Sequence, residues 1–209
     1  MQDDQRTAIA RTRDRDNTEA LLVTAARDVL AEAGFQGLGI NAVARRAGCD
    51  KQLIYRYFGG LDGLVEALGT RLSQDLAAAL PAPAQPPASY AELMQGLATG
   101  LVALLRRDTL LQRIIVWELA EPSPLVAKLN SARSKALTAW MAAQRGELRP
   151  PAGVDAAAMN AILIAAIQHM VISASTKGVF AGMPLDADAD WQRLTEALGA
   201  LIRQVYRES

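Results

Sequence analysis

Apolar residues recur at three- and four-residue steps along most of the chain, a spacing that predicts helices. The polar residues up to about Asn17 show no such period, so an unstructured arm is expected there. A first helix opens at Asn17 or Thr18 and carries Leu22, Ala26, Val29, Leu30 and Ala33 on one stripe. Gly34 closes it, with Phe35 folding back on Leu30. Ile40, Val43, Ala44 and Ala47 then mark a short second helix, which Gly48 stops because glycine accepts a left-handed backbone without steric penalty. Asp50 caps a third helix that turns Ile54, Tyr57 and Phe58 inward and Lys51, Gln52, Tyr55 and Arg56 outward. Together these three helices share a small core of Leu22, Val29, Phe35, Ile40, Val43, Leu53, Ile54 and Phe58.

After Gly59 and Gly60 a long helix carries Leu61, Leu64, Val65, Leu68, Leu72, Leu76 and Leu80 on one stripe until the proline run from Pro81 to Pro87 ends it. Ser89 caps the next helix, and Asp108 or Thr109 opens another containing Trp117. Ser123 caps a helix with Pro124 at the favoured first position and Leu125, Leu129, Leu137, Trp140 and Met141 turned inward. An uncharged, alanine-rich segment from Ala156 to Thr176 follows, then a loop from Gly178 to Asp190. The last helix carries Trp191, Leu194, Leu198, Leu201, Ile202 and Val205. No repeat and no strand is expected, so the fold class is all-α.

Charge and composition change this picture in three places. The formal net charge is zero, so any affinity for nucleic acid must come from a local basic surface. A single cysteine, Cys49, excludes an internal disulfide framework and a cysteine-built zinc site and suits a reducing cytoplasm. No apolar run follows the first basic residues, so a secretory signal is not expected. The segment from Ala156 to Thr176 is long enough to span a bilayer. It holds Asn160, Gln168, His169 and Ser173 and lacks clear anchors at its ends, so it is read as a helix buried in protein.

The paired helices around Gly48 make a helix-turn-helix, and the outward face of the second one carries a lysine, a glutamine, an arginine and a tyrosine with no acidic residue. Such groups reach phosphates and base edges. Ala25–Phe35, Val43–Gly48, Leu53–Phe58 and Leu61–Leu64, taken as a spaced set, resemble the amino-terminal domain of the TetR/AcrR-type transcriptional regulators. The resemblance covers residues 18–68, and the remainder fits by helix pattern. It implies an amino-terminal three-helix helix-turn-helix domain joined by a long helix to a larger helical regulatory and dimerisation domain. The corresponding division is a flexible basic arm over 1–17, a DNA-binding domain over 18–60 and a ligand-binding and dimerisation domain over 61–209.

By the same resemblance Asn41, Lys51, Gln52 and Leu53 occupy base-facing positions, and Tyr55 and Tyr57 phosphate-contacting ones. Arg45, Arg46 and Arg56 add charge contacts. Three residues depart from the family pattern: Gly39 stands where Ser or Thr is usual, Gln52 where Gly or Pro is usual, and Leu61 where Lys is usual. Arg6, Arg11, Arg13 and Arg15 punctuate the arm, but Asp14 and Asp16 interrupt them, and a solvated tail is expected.

An alanine-rich helix without charges needs partners on several sides, which points to a homodimer through Ala158, Ala161, Ile162, Ala165, Leu194, Leu198, Leu201 and Ile202. Regulators of this type commonly hold a small-molecule effector. The candidates for lining its site are Met94, Trp117, Glu118, Trp140, Met141, Met159, Gln168, His169 and Met170, with Arg113, Lys128 or Arg133 as alternative partners for Glu118. The expected activity is that of a ligand-responsive repressor binding double-stranded DNA as a homodimer on a palindromic operator, without cofactor, metal or membrane. Two other readings stay open: a helix-turn-helix adaptor for a protein partner, and a helical-bundle enzyme. The second lacks materials, with one histidine and one cysteine.

Overall fold

The computed structural model describes residues 2–80, 85–120 and 123–207, with side chains from residue 15 onward. Its order is α1 (Gln2–Gly37), α2 (Ile40–Ala47), α3 (Gln52–Phe58), α4 (Leu61–Ala79), α5 (Tyr90–Arg107), α6 (Thr109–Ala120), α7 (Pro124–Arg145), α8 (Ala156–Lys177), β1 (Val179–Phe180), β2 (Met183–Pro184) and α9 (Asp188–Val205). Contacts divide it into two compact units. The first comprises Met1–Asp75 and Trp117–Leu137, the second Leu76–Val116 and Thr138–Ser209.

In the first unit, α1 starts at Gln2 rather than at Asn17 or Thr18, so the residues read as an unstructured arm continue the first helix. The reason is local. No glycine or proline interrupts residues 2–33, and the Arg15 guanidinium pairs with Glu19 one turn on at 2.7 Å. The side chains of Arg6, Arg11, Arg13 and Asp14 lie outside the described residues. Gly34 breaks the helix at φ 65°. A Cβ there would meet the Trp117 ring at 3.4 Å, and Phe35 stands edge-on to that ring with centroids 5.9 Å apart.

Leu22, Val29, Phe35, Val43 and Ile54 are buried as the periodicity requires, whereas Ile40, Leu53 and Phe58 are half-buried. Leu64, Val65, Leu68 and Leu72 of α4 and Val126 and Leu129 of α7 complete the core of this unit. At Gly69 the backbones of α4 and α7 come so close that a Cβ would stand 2.7 Å from the Leu129 carbonyl oxygen. Ser73, also buried, donates its hydroxyl between the Gly69 and Arg133 carbonyls, each at 3.0 Å.

The second unit packs α5, α8 and α9 around Tyr90, Met94, Leu105, Ile167, Val171, Trp191 and Ile202. Ser89 begins α5 with reciprocal capping: its hydroxyl accepts from Glu92 N at 3.1 Å, and the Glu92 carboxylate accepts from Ala88 N at 2.8 Å. Tyr206 donates to Asn160 Oδ1 at 2.6 Å and the Asn160 amide donates to Tyr90 at 3.2 Å, tying three helices through otherwise costly buried polar groups. Burial pushes the Tyr206 phenol up to about 12.

Residues 178–190, expected as a plain loop, contain an antiparallel hairpin in which Val179 faces Pro184 and Phe180 faces Met183. Ala181 and Gly182, at φ 49° and 80°, supply the two left-handed residues of its turn.

Candidate nucleic-acid interface

The junction of α2 and α3 follows from its residues. Gly48 adopts φ 65°, which lets its amide and that of Cys49 reach back to the Arg45 and Ala44 carbonyls at 3.3 and 3.1 Å. Asp50 then accepts from Gln52 N at 2.8 Å, fixing the start of α3. The Cys49 thiol, half-buried in the turn, is pushed up by that burial and then by the Asp50 carboxylate, which disfavours its thiolate form.

Asn41, Arg45, Arg46, Lys51, Gln52, Tyr55 and Arg56 are exposed, and Leu53 and Tyr57 are half-buried. Tyr55 is 52% exposed, an unusual state for an aromatic ring with no packing duty. Arg46 contacts the Glu32 carboxylate of α1, so its charge is partly spent within the protein. Arg56 instead places its guanidinium 5.6 Å from the Tyr57 ring centroid, and Arg15 reaches the same ring at 5.7 Å. The charge pattern assigns Arg15 to a solvated tail; the Glu19 four residues on is the signal in the sequence that it lies on a helix.

Gly39 precedes α2 in extended geometry (φ −155°) and gives no side-chain cap. A Cβ at Gly39 meets nothing within 4 Å. Gly39→Ser is therefore expected to raise stability by a few tenths of a kcal/mol through a new cap, seen as a small upward shift in thermal midpoint. An unchanged or lower midpoint would show that the hydroxyl does not reach the α2 amides.

The residues proposed for an effector site divide between the two units. Trp117 and Glu118 belong to the first, where they have structural work: the indole covers Gly34 and Phe35, and Glu118 accepts from Arg133 at 2.5 Å. Met94 lies buried in the core of the second unit, and Met141, Met159 and Met170 pack half-buried against that core. Trp140 and Gln168 are half-buried. His169 is exposed, its ring 5.2 Å from that of Phe180 on the hairpin.

The interface residues also divide. Ala158, Ala161, Ile162 and Ala165 lie open on α8, and Leu201 is exposed on α9. Leu194, Leu198 and Ile202 are not available to a partner: they are buried within the second unit, because the amphipathic stripe of α9 faces α5. Nor is α8 buried on all sides as its composition suggested. Ile167 and Val171 are its buried residues, while Ile162 and Ile164 are 60% and 44% exposed.

Two short helices joined at a left-handed glycine, the second offering a cationic and aromatic face, define a helix-turn-helix DNA-binding protein. Residues 22–68 match the bacterial regulatory proteins, tetR family. The amino-terminal region is therefore similar to that family's DNA-binding domain, and the curated relatives matched over most of the chain are transcriptional regulators. The chain is 27% identical over 181 residues to the HTH-type transcriptional regulator BetI of Burkholderia thailandensis, covering 84% of this chain and 88% of that protein. Among solved structures it shares its fold with Salmonella enterica GusR, at TM-score 0.62 and 17% identity over 91% of this chain and 96% of that one. The fold is also that of the transcriptional regulator FadR from Bacillus subtilis, determined in complex with stearoyl-CoA, at TM-score 0.58 and 19% identity over 88% and 96% of the two chains.

Proposed function

We propose that this regulator is a ligand-responsive repressor that acts in the cytoplasm as a homodimer on a palindromic operator. The observation that carries the DNA half is the exposed face of Lys51, Gln52, Tyr55 and Arg56, which has no acidic residue on it. Lys51 donates to guanine O6 or N7 and Gln52 pairs with adenine, while Leu53 meets a thymine methyl and Asn41 reads from the start of α2. Tyr55, Tyr57, Arg45 and Arg56 hold phosphates, and Arg46 contributes less because Glu32 shares its charge.

A second copy of the chain covers the open face of α8 together with Leu201, joining two subunits through their last two long helices. Two recognition helices then meet successive major grooves, about 34 Å apart. Residues 18–60 read DNA, and 61–209 carry dimerisation and a small-molecule effector site around Met141, Met159, Gln168 and Met170. FadR's complex with stearoyl-CoA supports an effector of this general kind for the fold. An effector acts by binding more tightly to the state that does not fit the operator, and its differential affinity sets the size of the response.

Ile162→Glu tests the assembly. A carboxylate at this position of the open face is expected to give a monomer by sedimentation, with unchanged helical content, and to weaken DNA retention at least tenfold. A stable dimer in that variant would show that copies join elsewhere. Retention of genomic fragments by the wild-type chain, released by rising salt, tests the DNA half.

A further inference from the structure

Arg15 and Arg56 stand against one aromatic ring. Their guanidinium carbons lie 5.7 and 5.6 Å from the centroid of Tyr57, one coming from α1 and the other from the residue before it in α3. Such distances fall within cation–π range, so the ring orients both groups. Glu19 accepts the Arg15 Nε–H at 2.7 Å and pins the stem of that side chain. A guanidinium has four further N–H donors in a planar fork. The Arg15 side chain is 60% exposed, so those donors face solvent beside a half-buried phenol already adjacent to the recognition surface.

Charge favours an anion at this point. Two guanidiniums converge on the ring, against the Glu19 carboxylate, which is occupied on Arg15. Asp16 acts on Arg15 as well, but from the next position along α1, which points to a different side of the helix. A planar guanidinium fork matches the non-bridging oxygens of a phosphodiester.

We propose that Arg15, Arg56 and the Tyr57 hydroxyl form a clamp for one backbone phosphate of duplex DNA, which brings the amino-terminal helix into the interface. The inference rests on the DNA-binding reading above, and the experiment separates the two. Arg15 would otherwise be a staple between α1 and α3, contributing stability and nothing at the duplex.

Salt titrations of binding to two short duplexes of unrelated sequence, with the full-length protein, decide it. For Arg15→Gln the slope of log affinity against log salt is expected to become shallower by about 0.9 per bound protomer, the signature of one lost phosphate contact. The loss should be equal on both duplexes, since a phosphate carries no sequence information. Arg15→Lys keeps the charge and should keep the slope. Arg71→Gln removes an arginine from another exposed i,i+4 pair, with Asp75 of α4, and should leave the slope unchanged. A wild-type slope in Arg15→Gln, with any weakening matched by a lower thermal midpoint, overturns the clamp in favour of the staple. A loss confined to one duplex also overturns it, in favour of a base contact. If the wild type itself showed no salt-dependent binding, the DNA reading would fall first.

Discussion

Arg133→Ala is expected to lower folding stability by about 3–5 kcal/mol, because it strands a buried carboxylate. Arg133 and Glu118 are 10% and 9% exposed and meet at 2.5 Å. The other Glu118 oxygen, Oε1, has no hydrogen-bond partner among the described residues, so the guanidinium is its main compensation. The pair need not itself be a source of stability. Glu118→Leu with Arg133→Met, which removes both charges and keeps volume, is expected to be neutral or more stable. Urea unfolding midpoints for the three proteins check this, and a cost under about 1 kcal/mol for Arg133→Ala would mean that water already reaches the carboxylate.

Acidity gives the same pair a second readout. Burial pushes the Glu118 carboxyl above its ordinary 4.5, and Arg133 only partly opposes the rise. Between 4.5 and that raised value the folded protein holds a proton that the unfolded chain has released. This group's contribution to stability is therefore present at pH below 4.5 and is lost as pH climbs through the folded pKa. The pH dependence of the difference between wild type and the double variant isolates it.

Lys51→Ala with Tyr55→Ala is expected to weaken DNA binding on the order of 3 kcal/mol, roughly a hundredfold, while circular dichroism and dimerisation stay unchanged. Both side chains are exposed, and neither takes part in the core around Ile54. The two losses differ in kind. Lys51 sits at a base-facing position, so its removal should relax preference between sequences. Tyr55 sits at a phosphate-facing one, so its removal should weaken all duplexes alike. Full retention in the double variant would move the reading toward an adaptor whose helix-turn-helix meets a protein.

The helix-turn-helix was legible in the sequence because its determinants are local. Gly48, Asp50 and the spacing of Val43, Ala44 and Ile54 act within a few residues of one another, and the caps at Ser89 and Ser123 do the same. The hairpin after α8 was not legible. Its turn uses Ala181 and Gly182, and alanine rarely takes a left-handed backbone, so the usual asparagine–glycine signal is missing. Arg133 stood in the sequence only as one of several partners for Glu118, because a charged residue on a helix stripe ordinarily marks the solvent side.

Residue order by itself determined the helical class, most helix ends and the cationic face of α3, since these follow from backbone preferences and the 3.6-residue period. Tertiary packing decided which apolar residues remain for a partner. Leu198 and Leu201 are both leucines on α9, yet one is 5% and the other 61% exposed. It also decided that Arg15 leans on Tyr57 and that Arg133 neutralises Glu118. Those outcomes depend on which faces of distant helices meet, a property that no window of sequence contains.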